Sequence, residues 1–95
     1  MSLGICRLND ICTGHGCFPP RKNVSGSNTV FVNGLGVHRK TDSWQIHRCR
    51  RSSHSGRLSQ GSSTVYVEGL SIGRKNDQID CGSRVMTCSS DCFSG

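Results

Sequence analysis

The sequence predicts an all-β fold, a small domain of short strands built from three related units. Three observations predict it. A 17-residue stretch recurs 35 positions further along the chain. Both copies alternate β-branched and aromatic residues between glycines, which is a strand signature. No segment shows helical periodicity, and twelve glycines in 95 residues argue against long helices.

The first copy runs Gly26-Ser27-Asn28-Thr29-Val30-Phe31-Val32-Asn33-Gly34-Leu35 and ends in Arg39-Lys40-Thr41-Asp42. The second runs Gly61-Ser62-Ser63-Thr64-Val65-Tyr66-Val67-Glu68-Gly69-Leu70 and ends in Arg74-Lys75-Asn76-Asp77. Ten of the 17 positions are identical. In each strand Val30 and Val32, or Val65 and Val67, fall on one side, with Phe31 or Tyr66 on the other. Asn33-Gly34 and Glu68-Gly69 stand where a tight hairpin turn is expected, with return strands over 35–39 and 70–74. A third unit is worn. Arg7-Leu8-Asn9-Asp10 supplies its Arg-x-x-Asp, and Ser89-Ser90-Asp91-Cys92-Phe93 echoes Ser62 to Tyr66. The chain is read as one domain, 1–95, with units at roughly 7–34, 39–69 and 74–95. In each Arg-x-x-Asp, the Asp is expected to accept turn amides while the Arg reaches its carboxylate. These residues are assigned no catalytic role.

A chain of this length buries a modest share of its surface, so a staple beyond the apolar core is expected. The N-terminus has no apolar h-region and no run has membrane-spanning length, which predicts synthesis in the cytoplasm without a signal peptide. Seven cysteines in a reducing compartment then point to metal or free thiols before disulfides. The +6 charge favours acidic partners. Nucleic acid is not expected, because aromatic interleaving for base stacking is missing around His47-Arg48-Cys49-Arg50-Arg51. A zinc-dependent nucleic-acid binder and a disulfide-knit extracellular module remain the competing readings.

The repeat organises the metal-capable residues. His15 follows Asp10 by five residues, His47 follows Asp42 by five, and Cys81 follows Asp77 by four. Three units packed about a pseudo-threefold axis would bring these side chains together, and His54 can supply a fourth donor from the loop after His47. Three imidazoles and a thiolate form a closed tetrahedral set of the kind structural Zn²⁺ takes. Cys49 is the alternative to His47. His38, whose repeat partner is Gly73, is expected to be exposed. Cys6, Cys12, Cys17, Cys88 and Cys92 show no repeating metal spacing, and Cys88 and Cys92 are expected to pack as small apolar groups. A closed set leaves no position for a reacting water, and no pocket is evident, so the chain is not expected to be an enzyme.

The order His15-Gly16, Gly-Ser-x-Thr-Val-Phe-Val-Asn-Gly-x-x-x-x-Arg-x-x-Asp, His47, His54, the second copy and Cys81-Gly82-Ser83 resembles the PAAR-repeat proteins along nearly the whole chain. The resemblance implies a small conical domain with a structural zinc near its vertex. It implies a cap on the C-terminal end of a trimeric β-helical spike, one cap per trimer, that sharpens the spike for piercing a host outer membrane. Such caps occur on contractile phage tails and on type VI secretion spikes. Gly14-His15-Gly16-Cys17-Phe18-Pro19-Pro20-Arg21 resembles the variant of T4-like phages, which implies a place at the virion tail tip. The Pro-Ala-Ala-Arg namesake stands here as Gly36-Val37-His38-Arg39 and Ser71-Ile72-Gly73-Arg74. Val30, Val32, Val65 and Val67 are the candidates for the spike-facing base or for the core behind it.

Overall fold

A computed structural model describes residues 2–95. Eight strands lie in chain order: β1 (Leu3–Gly4), β2 (Phe31–Val32), β3 (Leu35–Gly36), β4 (Ser43–Cys49), β5 (Ser52–Arg57), β6 (Tyr66–Val67), β7 (Leu70–Ser71) and β8 (Phe93–Ser94). Among the described residues there is no helix. The fold is all-β, as the repeat predicts.

β2 and β3 form one hairpin and β6 and β7 another, with the expected turns. Asn33 and Gly34 have φ of 56° and 77°, and Glu68 and Gly69 have 55° and 80°, the left-handed pair a type I′ turn requires. The third hairpin is split along the chain. β1 pairs with β8 through Leu3↔Ser94 and Gly4↔Phe93, which matches Leu35↔Val32 with Gly36↔Phe31 and Leu70↔Val67 with Ser71↔Tyr66. The worn C-terminal fragment therefore borrows its return strand from the N-terminus.

Beyond each hairpin the return segment leaves its own unit and pairs with the next. The bridges Arg7↔Val37, Arg39↔Ile72 and Arg74↔Ile5 run in a closed circle. On the axis three amides complete a ring. Cys6 N donates to Gly73 O at 2.9 Å, Gly73 N to His38 O at 2.8 Å, and His38 N to Cys6 O at 3.0 Å. Because every member both donates and accepts, three buried strand segments are satisfied where no sheet continues.

Two polar devices repeat around this ring. Asp10, Asp42 and Asp77 each accept from the amide, Nε and Nη2 of the Arg three residues earlier, at 2.7–3.1 Å. The buried hydroxyls of Ser27, Ser62 and Ser89 each accept from the amides two and three residues ahead, which turns the chain into the strand. The Arg-x-x-Asp expectation holds in all three units.

The core has two layers. Ile5, Val37, Ile72 and Val67, flanked by Val32 and Cys92, lie behind the hairpins. Cys6, Cys12, Trp44, Leu58, Ile79 and Val85 lie on the far side of the ring. Val32 and Val67 thus back the core, while Val30 and Val65 lie outside the two-residue strands and are exposed. Phe31, Tyr66 and Phe93 occupy equivalent positions and are 57–58% exposed.

His38 corrects an expectation. It is fully buried, because residues 6, 38 and 73 all face the axis, where unequal side chains must share one space. A Cβ on Gly73 would lie 2.7 Å from Leu58 Cδ2, so one unit contributes no side chain and Leu58 takes that room. Its Nδ1 bonds Ser25 O at 2.8 Å, and its ring meets Trp44 edge-on.

Candidate metal centre

The elements that carry the candidate ligands lie beyond the Trp44 layer, away from the three hairpins. β4 and β5 form the longest ladder, with Trp44 opposite Gly56 and His47 opposite His54. Between these rungs the register shifts. In a regular strand residues three apart point to opposite faces, but this bulge turns both Trp44 and His47 inward. The sequence analysis read this region as loop. Its alternation is masked by the bulge, and His54 stands on a strand.

His15 sits on a tight turn in which the amides of His15 and Phe18 each donate to the other's carbonyl, at 3.1 and 2.9 Å. Gly14, at φ 70°, packs against the Phe18 carbonyl so closely that a Cβ would lie 2.5 Å from it, and Gly16 has φ 54°. Glycine on both sides lets the turn present the imidazole. Cys81 comes from the loop after Asp77, closed by Ile79 N to Ser83 O at 2.8 Å.

These four side chains converge. One donor atom from each of His15, His47, His54 and Cys81 lies within 4.8 Å of every other. His54 Nε2 is 2.9 Å from His15 Nε2 and 2.6 Å from His47 Nε2. His47 Nδ1 faces the Pro19 carbonyl at 2.9 Å. A carbonyl only accepts, so Nδ1 carries the proton and Nε2 presents a lone pair. His54 Nε2 has at most one proton for two facing nitrogens, so the three imidazoles cannot satisfy one another. A cation at their centre accepts all the lone pairs at once. The residues fit a metal ion.

The electrostatics favour neutral, ligating imidazoles. Burial holds the His15 pKa below the ordinary histidine value, and the neighbouring His54 and Arg21 add to it. Burial lowers His47 also, with Arg21 and the other two histidines, against the Pro19 carbonyl that pulls it up. Phe18 covers the cluster, its ring centroid 4.4–4.9 Å from all three imidazoles.

Cys49 is not in the cluster. It is joined to Cys17 by a disulfide, with Cα atoms 5.6 Å apart. Cys17 follows His15 by two residues and Cys49 follows His47 by two, so the bridge ties the turn that bears His15 to the end of β4, which bears His47. This corrects the alternative that set Cys49 in place of His47, and the preference for thiols over disulfides. The other five cysteines are free among the described residues, which argues against a disulfide-knit module.

Arg21 was missed by the sequence analysis. Its buried guanidinium donates to Gln45 O at 2.6 Å, Cys12 Sγ at 3.1 Å, Ser83 Oγ at 3.4 Å and Cys81 Sγ at 3.4 Å. A Cβ on Gly56 would lie 2.6 Å from its Nη2, so that glycine makes the space. None of these partners is a carboxylate, and a buried cation needs a negative neighbour. A cysteine that holds a metal ion does so deprotonated, and in that state Cys81 would be one. Arg21 closes the Gly14–Arg21 stretch, but that motif alone does not give its role, which depends on residues as far as 60 positions away.

A comparison with protein-family models decides the wider assignment. The PAAR motif model matches residues 13–87, which spans all four cluster residues and both clear repeats. The chain belongs to the PAAR-motif family. It is a PAAR-repeat spike-tip protein. A search of curated proteins gives no match. The three hairpins lie at one end of the domain, and the His/Cys cluster lies towards the opposite end.

Proposed function

We propose that this PAAR protein caps the tip of a trimeric β-helical spike on a contractile phage tail and narrows it for piercing a host outer membrane. One observation carries the reading: three equivalent exposed aromatics, Phe31, Tyr66 and Phe93, surround a pseudo-threefold axis at the hairpin end. Exposed apolar groups in a symmetric set suit a partner with matching symmetry. One pseudo-symmetric monomer can then meet three identical chains, with Val30 and Val65 beside the aromatics. The cap belongs at the virion tail tip after synthesis in the host cytoplasm. A type VI secretion spike is the alternative setting, and the repeat chemistry is the same there.

In this reading His15, His47, His54 and Cys81 hold one structural Zn²⁺, since three nitrogens and a sulfur in a closed tetrahedral set suit that ion. The ion supplies a cross-link at the narrow end, where little apolar core fits. The chain's own residues do the rest: Pro19 O orients His47, Arg21 holds Cys81, and Phe18 keeps water from the imidazoles. Four protein donors leave no position for a reacting water, so the protein acts as a structural part and not as an enzyme.

Mixing with a trimeric spike should give one cap per trimer by light scattering, and Phe31→Asp with Tyr66→Asp should abolish capture with little loss of stability. Three caps per trimer, or undiminished capture by the double variant, would overturn the reading.

A further inference from the structure

The β4–β5 hairpin continues past the metal cluster. Arg48 pairs with Ser53 and Cys49 with Ser52 beyond the His47–His54 rung, and Arg50 and Arg51 form the turn. At roughly 3.4 Å per residue the turn lies about 10 Å beyond the histidines. Arg48, Arg50 and Arg51 are all exposed. Among the described residues none forms a salt bridge, whereas Asp10, Asp42, Asp77 and Glu68 are all paired to Arg7, Arg39 or Arg74. The remaining carboxylates, Asp80 and Asp91, are taken up by Arg57 N and by Asn33 and Ser89. The turn is therefore a cluster of positive charge without a local counter-charge.

A second observation concerns the backbone. Arg50 has φ 56° and is the only turn residue of the pair with positive φ. A two-residue hairpin of that form wants glycine at its first position, and a left-handed arginine there is strained. A charged, exposed side chain stands in the turn where the backbone favours none. The Cys17–Cys49 bridge anchors the hairpin just below it.

We propose that this turn is a contact for anionic lipid headgroups, in which Arg48, Arg50 and Arg51 engage the phosphates of a bilayer surface. Guanidinium groups bind phosphate in paired, charge-assisted hydrogen bonds. The patch is a narrow convex hairpin, which can meet a flat bilayer but offers no groove to follow a nucleic-acid strand. The exposed aromatics that could stack on bases lie at the opposite end, and the exposed neighbour on β4 is Ile46, which is 56% exposed and can enter the headgroup boundary. The inference gives the narrow end of the spike tip its target chemistry, and it is tested without a spike.

Vesicles of phosphatidylcholine with and without phosphatidylglycerol test it by co-sedimentation. The protein should bind the anionic vesicles and release them as salt rises. Arg48→Ser, Arg50→Gly and Arg51→Ser together should lower partitioning about 100-fold, at roughly fivefold per arginine. Arg50→Gly alone should lose about fivefold while leaving the melting temperature unchanged or raised. Lys40→Ser with Lys75→Ser, exposed lysines near the hairpin end, should change little. Equal binding to neutral vesicles, or undiminished binding by the triple variant, would overturn the proposal. Tighter binding to a DNA duplex than to anionic vesicles, lost in the same triple variant, would replace it with a nucleic-acid contact. Spike capture fails only with the aromatic variants, so the two readings fail separately.

Discussion

The two ends of this molecule hold themselves together by different means. At the hairpin end every device occurs three times: a strand pair, a serine turn, an Arg–Asp turn and a share in the circle of amides. At the narrow end each device occurs once: a bulged hairpin, a glycine-flanked turn, a disulfide, a buried arginine and a mixed set of ligands. Repetition lets the hairpin end close on backbone hydrogen bonds, because identical units satisfy one another around an axis. The cluster end lacks that solution: the first unit gives one donor, the second two and the third one, on elements that do not repeat. Side-chain chemistry takes over there.

Loss of the proposed metal should break this comparison most sharply. Structural zinc supplies on the order of 10 kcal/mol in small zinc peptides, comparable with a domain's whole stability. Chelation, or Cys81→Ser, should therefore cause the largest loss of thermal stability of any change considered. Hydrogen exchange should rise first at residues 14–18 and 47–54, and later at the amides of Val37 and Ile72, which bond Val30 O and Val65 O. Simultaneous loss of protection at both ends would show that they do not behave as separate regions. Unchanged metal content in both Cys81→Ser and His15→Ala, by elemental analysis, would remove the ligand assignment.

The hairpin end should fail by another route and at another pH. Asp42 accepts from Arg39 and from Ser25 Oγ at 3.2 Å. Asp42→Asn leaves the mostly buried Arg39 guanidinium with Glu68 as its one remaining carboxylate partner, and a loss of about 2 kcal/mol is expected. Acid separates the two ends. His15 and His47 have lowered pKa values, so their contribution is present above the ordinary histidine value of about 6.5 and is lost as pH falls through the folded value. Asp42 is also lowered. Its burial pushes up, but the Arg39 side-chain and backbone hydrogen bonds outweigh that. Its contribution is present above the ordinary carboxylate value of about 3.9 and is lost further into acid. Acid titration followed by metal release and by circular dichroism should show the narrow end failing at the higher pH. Coincident transitions would contradict this order.

The same contrast explains what was legible in the sequence. Repeated devices leave repeated letters, so the hairpins, their turns and the Arg–Asp pairs could be read from two copies and a fragment. That His15, His47 and Cys81 gather in one cluster was legible because each follows its Arg–Asp turn at nearly the same interval. Single devices leave no such trace. The bulge between Trp44 and His47 hid the longest hairpin, and the Cys17–Cys49 bridge needed knowledge of which loops meet. Arg21 stands in the Gly14–Arg21 motif without its role being legible there, because its partners are gathered only by the fold. His38 was misread for a related reason. Repetition suggested that it should resemble Gly73, whereas on the axis equivalent positions must differ in size to fit.

Small departures between the copies point to a stabilising change. The third residue of each Arg-x-x-Asp turn is left-handed: Asn9 at φ 73°, Asn76 at 72° and Thr41 at 79°. Asparagine tolerates this region, whereas a β-branched side chain there is an outlier. Backbone bonds hold Thr41 in place, with its amide donating to Leu58 O at 2.8 Å, and its exposed side chain offers no compensating contact. Thr41→Asn should therefore stabilise the protein by about 1 kcal/mol, which for a domain of this size raises the melting temperature by roughly 4–8 °C. Metal content should not change, because the turn lies on the hairpin side of the Trp44 layer. A lower melting temperature would mean that the second unit depends on Thr41 in a way that its two equivalents do not. The threefold equivalence of the turns would then fail at that position.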